Sequence, residues 1–453
     1  MLTLSGAEAP EVVAAQIIFW ILLPFVLFVR PRWAVLIWLV MGNLDATGPG
    51  QSSTAVGWIN AAKGVVIPIY LWWRLRRVSD EVSATPPARL WLILTGYAAL
   101  AILWSPFPVP GIKLVGNMAG LLLSMIVMEK AVRRGLLRTD TLTVLIIASL
   151  ALGVLQTYYY GSTSYGFDGI DRPIRFSSFI AAQQYGALLV AFLTIILWHA
   201  EFRPIVKLAL SLSVSAALAL NGSRTWFIGA VIVVAVYAWL RSRRIIGIVA
   251  FVGSTIALSI LLVLNLTRFD TDILADTSSR IVATISAAFT GQDTSNDAGL
   301  GNLKFRLAIY QGVLDETRAS SPAEILLGHG TSSGGNVALH VFPTRYKLNQ
   351  LDSNRTIHNE WLRAFYEWGA VGLSLWIGVF ASILGGLIMR YRNPLFRMRA
   401  SAGLSFLPAF LAALATENIV AGAGNAGTMS FAIVIAILWA PVISAQSIET
   451  HSV

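Results

Sequence analysis

The sequence predicts an all-α, polytopic integral membrane protein of about 12–14 transmembrane helices, interrupted once by a long helical loop. Three observations lead there. Of 453 residues 56% are hydrophobic and only 12% charged, and the apolar residues gather in runs about as long as a bilayer core is thick. Runs such as IIGIVAFVGSTIALSILLVLNL (245–266) lack the alternation of a barrel strand, and hydrocarbon without water then leaves helices as the only way to satisfy the backbone. Finally, the basic residues fall in short clusters between the runs, one cluster in every second loop.

Taken in order, the apolar runs place helices near 11–29, 33–43, 56–73, 90–104, 111–129, 141–158, 178–199, 207–220, 225–240, 245–266, 368–389, 400–418 and 428–443. Pro24, Pro68 and Pro408 mark positions where a helix would kink or break. The basic clusters are Arg30/Arg32, Arg74/Arg76/Arg77, Lys130/Arg133/Arg134/Arg138, Arg203/Lys207, Arg241/Arg243/Arg244 and Arg390/Arg392/Arg397/Arg399. By the positive-inside bias these loops are cytoplasmic. Alternate loops such as 43–55, 105–111 and 421–427 are nearly free of Lys and Arg and face outward. The first ten residues, MLTLSGAEAP, carry no basic residue, so the first apolar run reads as a retained helix and not a cleaved signal. A formal net charge of +10 without a basic stripe or domain argues against nucleic acid as a partner. With no cysteine, disulfides, thiolate metal sites and thiol nucleophiles are excluded.

One segment breaks the rhythm. It divides the chain into N-terminal membrane helices (1–266), an outward loop (267–367), and C-terminal membrane helices with a short tail (368–453). Loops this long are usually functional, and helical spacing recurs inside this one at 273–289 and 302–318, followed by the Gly-rich turn LLGHGTSSGGN (326–336). It closes on TIHNEWLRAFYEWGAVGL (356–373), where His358–Asn359 is followed after nine residues by Gly369 and after two more by Gly372. Trp361, Phe365, Tyr366 and Trp368 in that stretch read as an interfacial aromatic belt. Lys63 and Lys113 interrupt apolar runs near the outer face; each is either a snorkelling residue or a functional intramembrane charge.

The His–Asn–x9–Gly–x–x–Gly spacing at the end of the outward loop resembles the signature of the O-antigen ligase and O-antigen polymerase superfamily. The NGSRTW turn (221–226) and the run from KFRLAIYQGVLDE to ILLGHG (304–330) are similar to two further elements of that family. The resemblance spans residues 175–420 and implies a GT-C-like fold. It also implies glycan transfer at the periplasmic face of the bacterial inner membrane, from an undecaprenyl-pyrophosphate-linked glycan to a glycan or lipid A-core acceptor, with no metal or other cofactor. Arg224 and Arg306 are then the candidates for gripping pyrophosphate, because guanidinium groups carry a permanent charge and donate paired hydrogen bonds. His358 is the candidate base for the acceptor hydroxyl. Asn359, Arg175 and Glu417 are supporting candidates: Asn359 as a helix cap, Arg175 near phosphate, Glu417 near His358 or the acceptor. Ligase and polymerase are both compatible with this pattern. From another class, a polysaccharide or lipid transporter or flippase would show internal repeats around a midplane polar site, whereas here the polar residues gather at the outer face and in one loop. P-loop and HExxH motifs are absent from the sequence.

Overall fold

The structure, a computed structural model, describes residues 10–44, 59, 61–76, 86–160, 176, 178–180, 182–198, 202–241, 298–341, 357–394 and 396–416. Among them every regular element is helical. Before the loop come α1 (Pro10–Phe28), α2 (Pro31–Met41), a π turn (Ala62–Val66) leading into α3 (Ile67–Arg74), and α4 (Pro86–Leu100) with a 3-10 extension (Ala101–Trp104). They are followed by α5 (Pro108–Arg133), α6 (Thr139–Tyr160), α7 (Ala182–Trp198), α8 (Pro204–Asn221) and α9 (Arg224–Arg241). The loop contributes α10 (Ala298–Ala319), α11 (Pro322–Leu327) and α12 (Gly334–Val341), and the chain returns through α13 (Glu360–Tyr391) and α14 (Arg397–Leu414). Among the described residues five helices are long and apolar enough to cross a membrane, and four shorter apolar helices accompany them. The protein is therefore an all-α multi-pass membrane protein. The expected helices at 245–266, 273–289 and 428–443 lie outside the described residues.

Proline does more starting than breaking here. Residues 31, 86, 108, 204 and 322 are prolines in the first turn of a helix, where a missing N–H leaves no bond unmade, and Pro68 sits where the π turn passes into α3. Pro24 and Pro408 lie inside α1 and α14, each of which runs on as one helix. The bundle packs α14 against α9, α7 and α13, and α13 in turn against α4. One continuous apolar core runs through it from Ala15 to Leu414.

The entry into α13 decides the shape of the outward side. Hydropathy places the start of this helix at 368, but the helix begins at Glu360, because Asn359 accepts the N–H groups of Trp361 and Leu362 at 3.0 Å each and so caps it. Gly369 then breaks it, with φ 64° and ψ −166°, a region open essentially to glycine alone. The break deprives the carbonyls of Tyr366 and Glu367 of intrahelical donors. The N–H groups of His329 and Gly330 donate to them instead, both at 3.0 Å. Backbone meets backbone at this joint: a Cβ on Gly369 would stand 2.3 Å from the carbonyl oxygen of Leu326, and one on Gly328 equally close to that of Glu367.

The same Gly-rich turn is tied to α4. Tyr97 donates to the carbonyl of Leu327 at 3.0 Å and the Trp104 indole to that of Gly328 at 3.2 Å. Thr331 donates to the carbonyl of Ala98 and accepts the indole N–H of Trp368 at 3.0 Å. A second small core, built from Ile309, Val313, Val337, Ala338, Ile357 and Tyr366, closes the loop over the helix entry. Tyr366 and Trp368 are buried, so the aromatic-belt reading fails for them: they hold loop to bundle, because the break at Gly369 turns that face of α13 toward the Gly-rich turn.

Candidate functional site

Three of the residues singled out from the sequence lie at one junction. α8 ends at Asn221 and α9 opens at Arg224. The Thr225 hydroxyl is 3.3 Å from that of Thr416, just past the end of α14. On the loop, Arg306 of α10 donates through Nη1 to the carbonyl of Thr416. One helical turn further on, the Tyr310 hydroxyl donates to the carbonyl of His358 and lies 3.5 Å from that of Ala415. Residues four apart share a helix face, so one stripe of α10 bridges the C-terminus of α14 and the turn carrying His358. The carbonyls at a helix C-terminus carry partial negative charge, which gives Arg306 a fixed anchor there.

Electrostatics tie Arg306 to His358 as well. Burial, and after it the positive charge of Arg306, push the His358 imidazole down from 6.5 to about 4. Both causes act by making the charged ring costly, so His358 is neutral across the whole physiological range. Asn359 is the N-cap of α13 and orients the turn.

The supporting candidates are placed less fully. Arg175 and Glu417 lie outside the described residues. The chain neighbour of Arg175, Phe176, exchanges bonds with the end of α8, its N–H donating to the Leu220 carbonyl at 3.0 Å and its carbonyl accepting from Asn221 at 2.8 Å. The chain neighbour of Glu417 is Thr416, the residue that Arg306 holds. Lys63 is fully buried and donates to the carbonyl of Leu44, whereas Lys113 is exposed and fits the snorkelling reading.

A group that the sequence reading missed sits under the junction. Glu360, Arg363 and Glu367 are all fully buried in the first turns of α13. Arg363 pairs with Glu360 at 3.1 Å, lies 4.0 Å from Glu367, and stacks over the Trp368 ring at 5.5 Å. Glu367 also accepts the backbone N–H of Ser332 at 2.9 Å and that of Gly334 at 3.4 Å. The signal was available: three ionisable residues at i, i+3 and i+7 share one face of an otherwise apolar helix.

On the far flank of the joint, His329 stacks on Tyr366 with ring centres 4.3 Å apart, and its Nε2 lies 3.0 Å from the Ser320 hydroxyl. The Tyr366 hydroxyl donates to Glu316. These contacts fix the Gly-rich turn.

A comparison with curated proteins gives no match. Residues 208–377 match the family model for O-antigen ligase, a stretch that holds Arg224, Arg306, His358 and both signature glycines, and the match supports a relationship of this part of the chain to the O-antigen ligase and polymerase superfamily.

Proposed function

We propose that this protein is a membrane glycosyltransferase of the O-antigen ligase type. It moves a glycan from an undecaprenyl-pyrophosphate donor to an acceptor hydroxyl, with lipid A-core as the acceptor, at the periplasmic face of the bacterial inner membrane. The observation that carries the reading is the junction itself. Arg306, the start of α9 at Arg224, and the His358 turn meet through Thr416 and Tyr310 although the sequence spreads them over more than a hundred residues.

In the proposed step the acceptor oxygen attacks the anomeric carbon as the bond from that carbon to the pyrophosphate oxygen breaks. The hydroxyl proton passes to His358, and the departing lipid pyrophosphate carries away the bonding pair. Arg306 and Arg224 offset that charge with forked hydrogen bonds. A single displacement of this kind inverts the anomeric centre. Asn359 holds the His358 turn, and in this reading Arg175 assists at the phosphate end and Glu417 at the acceptor end. Donor binding also suits the base to its task, since two phosphate charges beside Arg306 oppose the influence that depresses His358.

His358→Ala, purified and supplied with lipid-linked donor and acceptor, should lose about a hundred- to ten-thousand-fold in transfer rate while still binding donor. Retained transfer, or loss of donor binding together with rate, would remove His358 from the role of base. The glycan profile of a deletion strain separates the branches of the family. Lipid-linked polymer that never reaches its acceptor marks a ligase, single repeat units mark a polymerase, and unaltered glycans overturn both.

A further inference from the structure

The short helix α11 has a polar beginning and an apolar end. Ser321 and Glu324 form a capping box at its first turn, while its last three residues, Ile325, Leu326 and Leu327, are 40%, 52% and 42% exposed. Three large aliphatic side chains in a row facing water would be an unfavourable surface for a loop over the membrane. Where this turn sits resolves the conflict.

Its depth follows from α13. The backbone of α11 touches that helix at Gly369, against the carbonyl of Leu326. From Gly369 to the basic cluster beginning at Arg390 is about 32 Å of helix at 1.5 Å per residue, which matches a hydrocarbon core of about 30 Å. With Arg390 at one boundary, Gly369 and the end of α11 lie at the other. The neighbouring surface agrees. Leu100, Leu103 and Trp104 at the end of α4 and Val109 and Ile112 at the start of α5 are exposed apolar residues, and α11 is joined to this face by the bonds from Tyr97 and Trp104.

The backbone is prepared for the same surroundings. A helix end in a low-dielectric medium cannot leave its carbonyls bare. At the C-terminus of α11 the Glu324 carbonyl accepts from Gly328, that of Leu327 from Tyr97, and that of Gly328 from Trp104.

We infer that α11 is an interfacial anchor: its Ile325-Leu326-Leu327 turn dips into the acyl chains of the adjacent leaflet, with Ser321 and Glu324 at headgroup level, and fixes the loop at one height over the bilayer. The occupant of this face is membrane lipid, because the patch continues the lipid-facing surface of α4 and α5 at the depth where that surface ends. The inference does not depend on the glycan-transfer reading or on which side of the membrane the loop faces.

The absence of cysteine from the chain permits a direct test. Single cysteines at Leu326, Glu324, Leu103 and Asp315 are spin-labelled in the full-length protein, reconstituted in vesicles of phosphatidylethanolamine and phosphatidylglycerol. Collision with oxygen and with a water-soluble nickel chelate is then measured at each site. The expected result is an oxygen-to-nickel ratio at Leu326 that matches Leu103 on the membrane helix, with Glu324 falling toward the exposed loop position Asp315. A ratio at Leu326 equal to that at Asp315 overturns the inference by showing that the turn faces water. Shielding from both reagents overturns it as well, because protein and not lipid would then cover the patch.

Discussion

Protonation of His358 is the perturbation whose size the structure sets most directly. An unperturbed imidazole titrates near 6.5, and this one is held at about 4 by burial and by Arg306. At about 1.4 kcal/mol per pH unit, the neutral ring is favoured by roughly 3 kcal/mol over one in water. For a base, the acid limb of kcat/KM should therefore appear near pH 4 and not near 6.5. Burial is the larger of the two causes, so removing the Arg306 charge should recover less than half of the displacement. In Arg306→Gln the His358 ring is expected to rise only part of the way back toward its ordinary value. The limb of kcat, which reports the donor complex, should lie above that of kcat/KM. The value can be read without turnover. The chain has five histidines, so carbon-13 histidine spectra of the full-length protein give a resolvable set, with His358 identified by its loss in His358→Gln. A wild-type ring titrating at 6.5, or an Arg306→Gln ring returning fully to 6.5, would refute the reasoning. Stability follows the same sign. Between about 6.5 and 4 the unfolded chain binds more protons than the folded one, so the contribution of this site is complete above 6.5 and declines as pH falls through the window.

Lysine at Arg224 or Arg306 keeps the charge and loses the fork, so transfer should fall about ten- to a hundred-fold at unchanged protein level; full activity of both variants would reduce these arginines to fold or headgroup anchors. Gly369→Ala forces alanine into a region of backbone space that costs about 1–3 kcal/mol and drives its Cβ toward the Leu326 carbonyl. A clear drop in the thermal midpoint of the purified protein is expected, and an unchanged midpoint would show that the joint yields freely. A reporter fused near Gly334 should be active only when it senses the periplasm; activity of a cytoplasmic reporter there would overturn the proposed orientation and the enzymatic reading with it.

The fold class was legible because bilayer thickness and charge bias act on long stretches, and long stretches average out individual residues. Helix ends were less so. Hydropathy moved the start of α13 to 368 because Glu360, Arg363 and Glu367 lower the average, although the helix continues through all three. Their charge is met by one another and by backbone donors of the Gly-rich turn, and no window over a single segment can anticipate partners from another. The site shows the same division. His358 and the glycines were visible through local spacing, but Tyr310 was invisible, since its role rests on reaching a carbonyl 48 residues away. Three buried charges at a helix entry would stabilise less than a well-packed apolar set, so their value lies in register. Glu367 ties the helix entry to the 332–334 turn by accepting the N–H groups of Ser332 and Gly334.

That register gives the nine-residue spacing between Asn359 and Gly369 a physical meaning. Asn359 starts the helix and Gly369 breaks it, so the interval is a strut of two and a half turns, about 14 Å long, standing beyond the hydrocarbon. Its upper end carries His358 to the stripe formed by Arg306 and Tyr310. Its lower end locks against Gly328 at the level where α11 meets the membrane. One residue more within the strut would turn His358 by about 100° relative to Gly369, moving the imidazole off the Arg306 face while the lower joint stayed in place. One residue fewer would turn it equally far the other way. In this chain the histidine does the proposed chemistry, and the joint of Gly369 with Gly328 fixes where, above the bilayer and on which side of the helix, that histidine stands.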